Sequence, residues 1–262
     1  EMAAGNKEHG INIENSDSVH IINADNVKEN EGSGIYVGNS TGAVINGSTA
    51  YSNTGSGIEL YNVTGSMVGF ETNTSYNQGS GILFRESDGN TIADTEMAAG
   101  NKEHGINIEN SDSTRITNAA GINDNKGSGI YVGNSTDAVI NSSSASGNTG
   151  SGVTLYNTTN SSLNQVTSSR NLESGIFVQN SSGISITDSN ASFNQQNGIF
   201  LDQSDDNDIS GNILNFNQYA GAFIHQSDNN KLSDNYASNN SMYGFLVSDS
   251  NATELDSNYA AN

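Results

Sequence analysis

Apolar positions are sparse along this chain but regularly placed. A Gly followed by an apolar residue recurs at Gly10, Gly34, Gly57, Gly81, Gly105, Gly129, Gly152, Gly175, Gly198, Gly221 and Gly244, always 23 or 24 residues apart. One position after the Gly stands Ile, Val, Ala or Phe, and two further on another apolar residue, as in Ile35 with Val37 and Ile82 with Phe84. Apolar residues two apart, with a variable residue between, give the period of a strand with one face inward. Eleven positions after the Gly an aliphatic residue recurs without exception, from Ile21 and Ile45 to Leu232 and Leu255. It predicts a second inward-facing strand.

Polar positions keep the same register. Four residues before each Gly stands Asn: Asn6, Asn30, Asn53, Asn77, Asn101, Asn125, Asn148, Asn171, Asn194, Asn217 and Asn240. An Asn kept between strands predicts a tight turn. Six after the Gly is Ser or Thr, with Val63 the exception, and the residue before it is usually Asn, as in Asn15, Asn39, Asn110 and Asn157. Asn tolerates the left-handed conformation, and stacked amides can bond along a column. A unit this short, with three extended pieces and corners, cannot bury its own apolar face, so the coils must stack into a solenoid. Leucine-rich repeats need several Leu per unit and helical hairpins a 3.6 period; neither pattern is present. The prediction is an all-β solenoid of about eleven coils with three short strands per coil.

The motifs "NEGSGIYVGNSTGAVI", "NTGSGIELYN" and "NQQNGIFLDQSDDNDI" resemble the right-handed parallel β-helix repeat proteins. The likeness includes surface-layer and sheath proteins of archaea and bacteria, carbohydrate-binding and sugar-hydrolysing β-helices, and copper-processing accessory proteins. It implies one right-handed β-helix over residues 1–262. It specifies fold rather than function. A longer repeat overlies the coils: residues 1–18, "EMAAGNKEHGINIENSDS", recur unchanged at 96–113, marking a duplication of 1–95 as 96–190. Copied outward positions suit a wall, stalk or fibre, and the chain reads as a segment of a longer repetitive protein.

Composition changes the picture in two ways. With 29 Gly, 42 Asn and 39 Ser, and only 32% hydrophobic residues, disorder would be the default, but the repeat and the absence of Pro oppose it. The net charge of −21 excludes nucleic acid and anionic lipid as natural partners and suits cations or solubility. The absence of Cys removes disulfides and thiol chemistry and fits an extracellular location. No run approaches the roughly 18–20 apolar residues of a membrane span.

Candidate chemistry lies on the outward columns. The position two after the Gly carries a single acid, Glu59, and then an apolar stripe of Phe177, Phe200, Phe223 and Leu246, joined on nearby turns by Phe193, Phe216, Tyr219 and Tyr243. Monomers rarely expose large contiguous apolar patches, so the stripe is the candidate assembly interface, with sugar binding as the alternative. Four after the Gly, Asp202 precedes His225 by one coil, the most catalytic-looking pair. A lone acid and base without a third group leaves the catalytic assignment empty. No cofactor is expected. Calcium, which needs six to eight oxygens, has its one candidate site at Asp205, Asp206 and Asp228, with Asp208, Asn229 and Asp234 nearby; acidic solvated turns are the favoured reading. His9 and His104, copied four coils apart, read as surface residues. Sequons such as Asn39, Asn62 and Asn134 are compatible with glycosylation. The leading functional expectation is a non-enzymatic extracellular structural protein, of an archaeal-type envelope, that assembles with itself. The alternative is a carbohydrate-binding or polysaccharide-degrading β-helix.

Overall fold

The computed structural model describes residues 3–261; Glu1, Met2 and Asn262 lie outside them. The chain winds into stacked coils, each adding one strand to two parallel sheets of eleven strands. The first sheet runs from Ile11–Glu14 to Tyr243–Ser248 and the second from His20–Ile22 to Glu254–Asp256. Register is set by the repeat: Ile35 pairs with Ile58, Ile58 with Ile82 and Ile82 with Ile106. In the second sheet Ile92 pairs with Ile116 and Ile116 with Ile140. A one-residue slip would turn every inward side chain out, so the apolar pattern itself enforces this register.

The third side differs from the expectation of a third strand per coil. It holds a three-stranded sheet of Ala3–Ala4, Val27–Lys28 and Ala50–Tyr51, a pair of Tyr236–Ser238 with Tyr259–Ala261, and otherwise isolated bridges such as Ser144 with Thr167. Its inward column alternates Ala with Val27, Thr74, Ile122, Ser168 and Leu214. Ala50, Ala98, Ala145, Ala191 and Ala237 are fully buried there, and the backbone of the third side lies close over the Gly column. A Cβ added at Gly129 would sit 2.7 Å from the Ala145 methyl and 2.8 Å from the Gly152 carbonyl oxygen, so Gly is the residue that allows coils to stack at this corner. The extra residue of several 24-residue coils is absorbed on this side as well, with Asn26, Glu71 and Gly121 at positive φ.

Inside, three inward columns form one apolar core. Ile58, Leu60, Val68, Ile106, Ile108, Ile116, Ile130 and Leu163 are each at most 1% exposed. Burying one such side chain contributes roughly 1.5–3 kcal/mol, and stacking repeats the gain at every coil.

The corners are built from left-handed residues. Within a single coil Asn110, Ser113, Asn118 and Asp124 lie at φ 50°, 54°, 52° and 57°. The Asn column after the first strand behaves as expected: Asn15, Asn39, Asn62, Asn110, Asn134, Asn157 and Asn180 are all at positive φ. The column before the Gly does not. Asn30, Asn53, Asn77, Asn101 and Asn125 are buried, and the left-handed residue is the one preceding each of them, among them Glu29, Ser52, Tyr76 and Asp124. Each of these Asn instead passes an amide N–H to the next coil: Asn30 to Asn53 Oδ1 at 2.8 Å, Asn101 to Asn125 at 3.0 Å, Asn194 to Asn217 at 3.1 Å. The second amide hydrogen goes to backbone, as from Asn77 to the Ala50 carbonyl at 3.2 Å. A buried amide is stable only when its groups are paired, and the ladder pairs them.

Candidate functional site

The outward face of the first sheet collects the side chains that could do chemistry, because each coil delivers one residue to every column at strand spacing, about 4.8 Å. Phe177, Phe200 and Phe223 stack along it, with ring centroids 5.2 and 4.9 Å apart and interplanar angles of 20° and 9°. Leu246 continues the column, paired with Phe223. All four are half-buried. The rings cover one another's faces and present their edges outward as an apolar ribbon. Tyr219 tilts over Phe223 at 6.0 Å and meets Tyr243 edge-on at 5.8 Å. Phe193 and Phe216 do not join this ribbon; they stack on each other at 4.9 Å in a separate corner column, with the Arg170 guanidinium 5.7 Å from the Phe193 ring.

Beside the ribbon lie two adjoining hollows. One, of about 360 Å³, is lined by Gln196, Asn197, Phe200, Gln218, Tyr219 and Phe223. The other, about 160 Å³, is lined by Ser151, Glu173, Ser174, Phe177, Gln196 and Phe200. Gln196 and Phe200 belong to both. A larger hollow of about 470 Å³ opens at the first described coil among Ala3, Ile11, Ile21 and Val27, residues whose counterparts in later coils are core; it is the core in cross-section.

Asp202 and His225 meet as their columns imply. His225 Nδ1 lies 2.9 Å from Asp202 Oδ1, and Gln179 Nε2 donates to Asp202 Oδ2 at 2.9 Å. His225 Nε2 faces Asp249 Oδ2 at 3.8 Å. Both carboxylate oxygens of Asp202 and Nδ1 of His225 are thus engaged along the column, whereas among the described residues His225 Nε2 makes no hydrogen bond. A general base needs a nitrogen or oxygen free to reach substrate, with a second group to return the proton; His225 Nε2 is such a nitrogen, and the carboxylate beside it is the exposed Asp249.

A second polar group, unnoticed as a unit in the sequence, sits on the earlier coils. Arg85 lies between Glu59, 4.0 Å from Nη1, and Glu109, 3.7 Å from Nε. Ser33 Oγ donates to Glu59 Oε2 at 2.6 Å. The signal was available: the three occupy neighbouring columns on successive coils.

The copied His residues are not free on the surface. His9 stacks on Tyr36 at 4.5 Å and His104 on Tyr131 at 4.8 Å, and each Nδ1 accepts a backbone N–H, from Ser33 and Ser128, both at 3.0 Å. Burial holds the His104 imidazole below its ordinary pKa and pushes the Tyr131 phenol above its own. The duplication copied a structural contact.

The acidic turns also have structural work. Asp228 N–H is accepted by Asp205 Oδ1 at 2.7 Å, and Asn251 N–H by Asp228 Oδ1 at 2.6 Å. Asp206 occupies a left-handed corner. Among the described residues no three His, Asp or Glu side chains come together to hold a metal ion. Among them, too, no helix is long and apolar enough to cross a membrane.

A family model described as right handed beta helix region matches residues 9–120 and 104–260. No curated protein sequence matches significantly. Among solved structures, the A-module of mannuronan C-5 epimerase AlgE4 from Azotobacter vinelandii aligns with a TM-score of 0.71 at 16% identity, over 96% of this chain and 76% of that one. A mutant of the periplasmic alginate epimerase AlgG gives 0.66 at 14% identity, over 95% and 76%. PfbA, a surface adhesin of Streptococcus pneumoniae, gives 0.54 at 10% identity, over 93% and 70%. At such identities the likeness carries the fold alone. Matched from residue 9 to residue 260, over coils stacked in the register described above, the chain belongs to the right-handed β-helix region family.

Proposed function

We propose that this chain is a non-catalytic, extracellular β-helix rod whose first face binds an extended polysaccharide. The observation that carries this reading is the ribbon of Phe177, Phe200 and Phe223 set against hollows walled by amide, hydroxyl and carboxylate groups. Ligand sites combine an apolar wall with a few convergent polar groups. A sugar polymer presents both apolar C–H surface and hydroxyl rims, and its length matches a face that repeats coil after coil. The relatives in fold include alginate epimerases and a surface adhesin, which supports a polysaccharide-facing role outside the cytoplasm.

Co-sedimentation with insoluble polysaccharides tests it. The expected result is pelleting with at least one polymer, weakened severalfold in Phe177→Ala and Phe223→Ala, without released product. Absence of pelleting with every polymer tried removes the reading. Product release that disappears in Asp202→Asn replaces it with an enzyme.

A self-assembling structural subunit is the second reading. It is favoured by exposed apolar side chains on the third side, where Ile213, Tyr236 and Tyr259 share a column and the Tyr rings stack at 4.6 Å. Electron microscopy with light scattering across concentration decides it. Filaments or sheets that dissolve in Tyr236→Asp but persist in Phe200→Asp place the contact on the third side; a monodisperse rod at every concentration excludes assembly.

A further inference from the structure

Five of the first seven Gly-centred coils carry a small Gly-Ser pair just before the Gly, Gly10 and Gly105 being preceded by Glu-His instead, and the last four coils carry other residues there. Gly-Ser-Gly stands at residues 32–34, 55–57, 79–81, 127–129 and 150–152. From there the repeat is broken by Glu173-Ser174, Gln196-Asn197, Tyr219-Ala220 and Met242-Tyr243. The larger side chains raise the wall of the 360 Å³ hollow. Ala220, in register after Asn197, leaves room for it.

Asn197 is the unpartnered buried side chain that lines a hollow. It is 4% exposed and lines the hollow, yet its Oδ1 has no hydrogen-bond partner. Its Nδ2 reaches only Ser174 Oγ, at 3.5 Å. The Asn columns of the ladders pair their buried amides, and the other buried Asn with an unpartnered Oδ1, Asn107, has its Nδ2 held by Glu109 at 3.0 Å; a buried acceptor left unpaired is unfavourable. A hydroxyl donor entering the hollow would complete it, with the Gln196 and Gln218 amides at the rim and the Phe200 and Phe223 edges as the apolar wall.

Charge narrows the class of ligand. Neither hollow is lined by Lys or Arg, whereas Glu173 lines the smaller one and Asp202 lies next to Phe200 and Phe223 on the same sheet. In a chain of net charge −21 a polyuronate would bring further carboxylates to hollows with no fixed cation to receive them. A neutral, hydroxyl-rich chain meets no such opposition.

We propose that the hollow around Asn197 is a subsite for one residue of a neutral polysaccharide, whose hydroxyl donates to Asn197 Oδ1, and that this face rejects anionic uronate polymers. The inference rests on the polysaccharide-binding reading above and specifies its ligand.

Affinity gel electrophoresis with a mannan, a β-glucan and a xylan, and in parallel with alginate and polygalacturonate, tests it on the wild type, Asn197→Ala and Gln218→Ala. The expected result is retardation by at least one neutral polymer and none by the uronates, with each variant at least tenfold weaker. Asn197→Ala should also keep or raise the thermal midpoint in the absence of ligand, because it deletes an unpaired buried acceptor. Gln218 is exposed, so its variant folds and decides the matter if Asn197→Ala does not. Neutral-polymer binding unchanged in both variants overturns the subsite while the binding face stands. Retardation by alginate overturns the neutral class. No retardation by any polymer overturns the subsite together with the reading beneath it.

Discussion

Asn101 Oδ1 accepts two hydrogens from Asn77, the side-chain amide at 3.1 Å and the backbone N–H at 2.9 Å. One oxygen therefore serves two donors of the neighbouring coil, and Asn101 in turn donates to the Thr74 carbonyl at 3.0 Å. Asn101→Ala strands both Asn77 donors in the interior. At about 1–3 kcal/mol for each buried group left unpaired, the loss should be about 2–5 kcal/mol, read as a lowered denaturant midpoint. An effect below about 0.5 kcal/mol would show that the ladder is dispensable.

Two glycines with different reasons to be glycine should respond differently. A Cβ at Gly129 would lie 2.7 Å from Asn148 Nδ2 and 2.8 Å from the Gly152 oxygen, both buried, so Gly129→Ala should lose about 1–3 kcal/mol by overpacking. Gly89 sits at φ +64° with open space around it, in the column where Asn160 and Asn229 adopt the same conformation. Gly89→Asn should therefore change stability by less than about 1 kcal/mol. Urea unfolding of the two variants compares them directly, and equal losses would contradict the distinction.

The half-buried His104 has a defined pH signature. Its pKa is lowered by desolvation, which outweighs the raising effects of Glu103 and Glu109. The unfolded chain takes up the proton first, near the ordinary value of about 6.5. The contribution of neutral His104 is thus complete above that pH and is lost as pH falls towards the lower folded value. The thermal midpoint of the wild type minus that of His104→Gln should shrink between pH 7 and pH 5. A constant difference would mean that burial does not set the titration.

Turn carboxylates accept backbone N–H hydrogen bonds from the neighbouring coil. Asp112 Oδ1 takes the Thr136 N–H at 2.7 Å, and Asp88 Oδ1 takes the Asp112 N–H at 2.8 Å. Asp112→Asn keeps an acceptor oxygen and should be nearly neutral, whereas Asp112→Ala should lose about 1 kcal/mol. A calcium chelator should leave the thermal midpoint unchanged; a large drop would reveal a bound cation.

The sequence by itself determined the coil, its register and its core. Ile and Val at fixed distances from each Gly name the inward columns, because a strand alternates faces and a stacked coil must repeat the choice. It also named the Phe177, Phe200 and Phe223 column and the meeting of Asp202 with His225, since one coil's offset is one strand spacing. The remainder depends on how the coils pack. The third side is mostly bridges, and its inward column, which mixes Ala with Val27, Thr74, Ile122, Ser168 and Leu214, carries no uniform apolar signal. The recurring Asn is a buried ladder and not the turn residue, because an Asn suits both roles and burial alone separates them. The unpaired oxygen of Asn197 is likewise invisible in the sequence, since whether an amide is satisfied depends on what the neighbouring coils bring within reach of it.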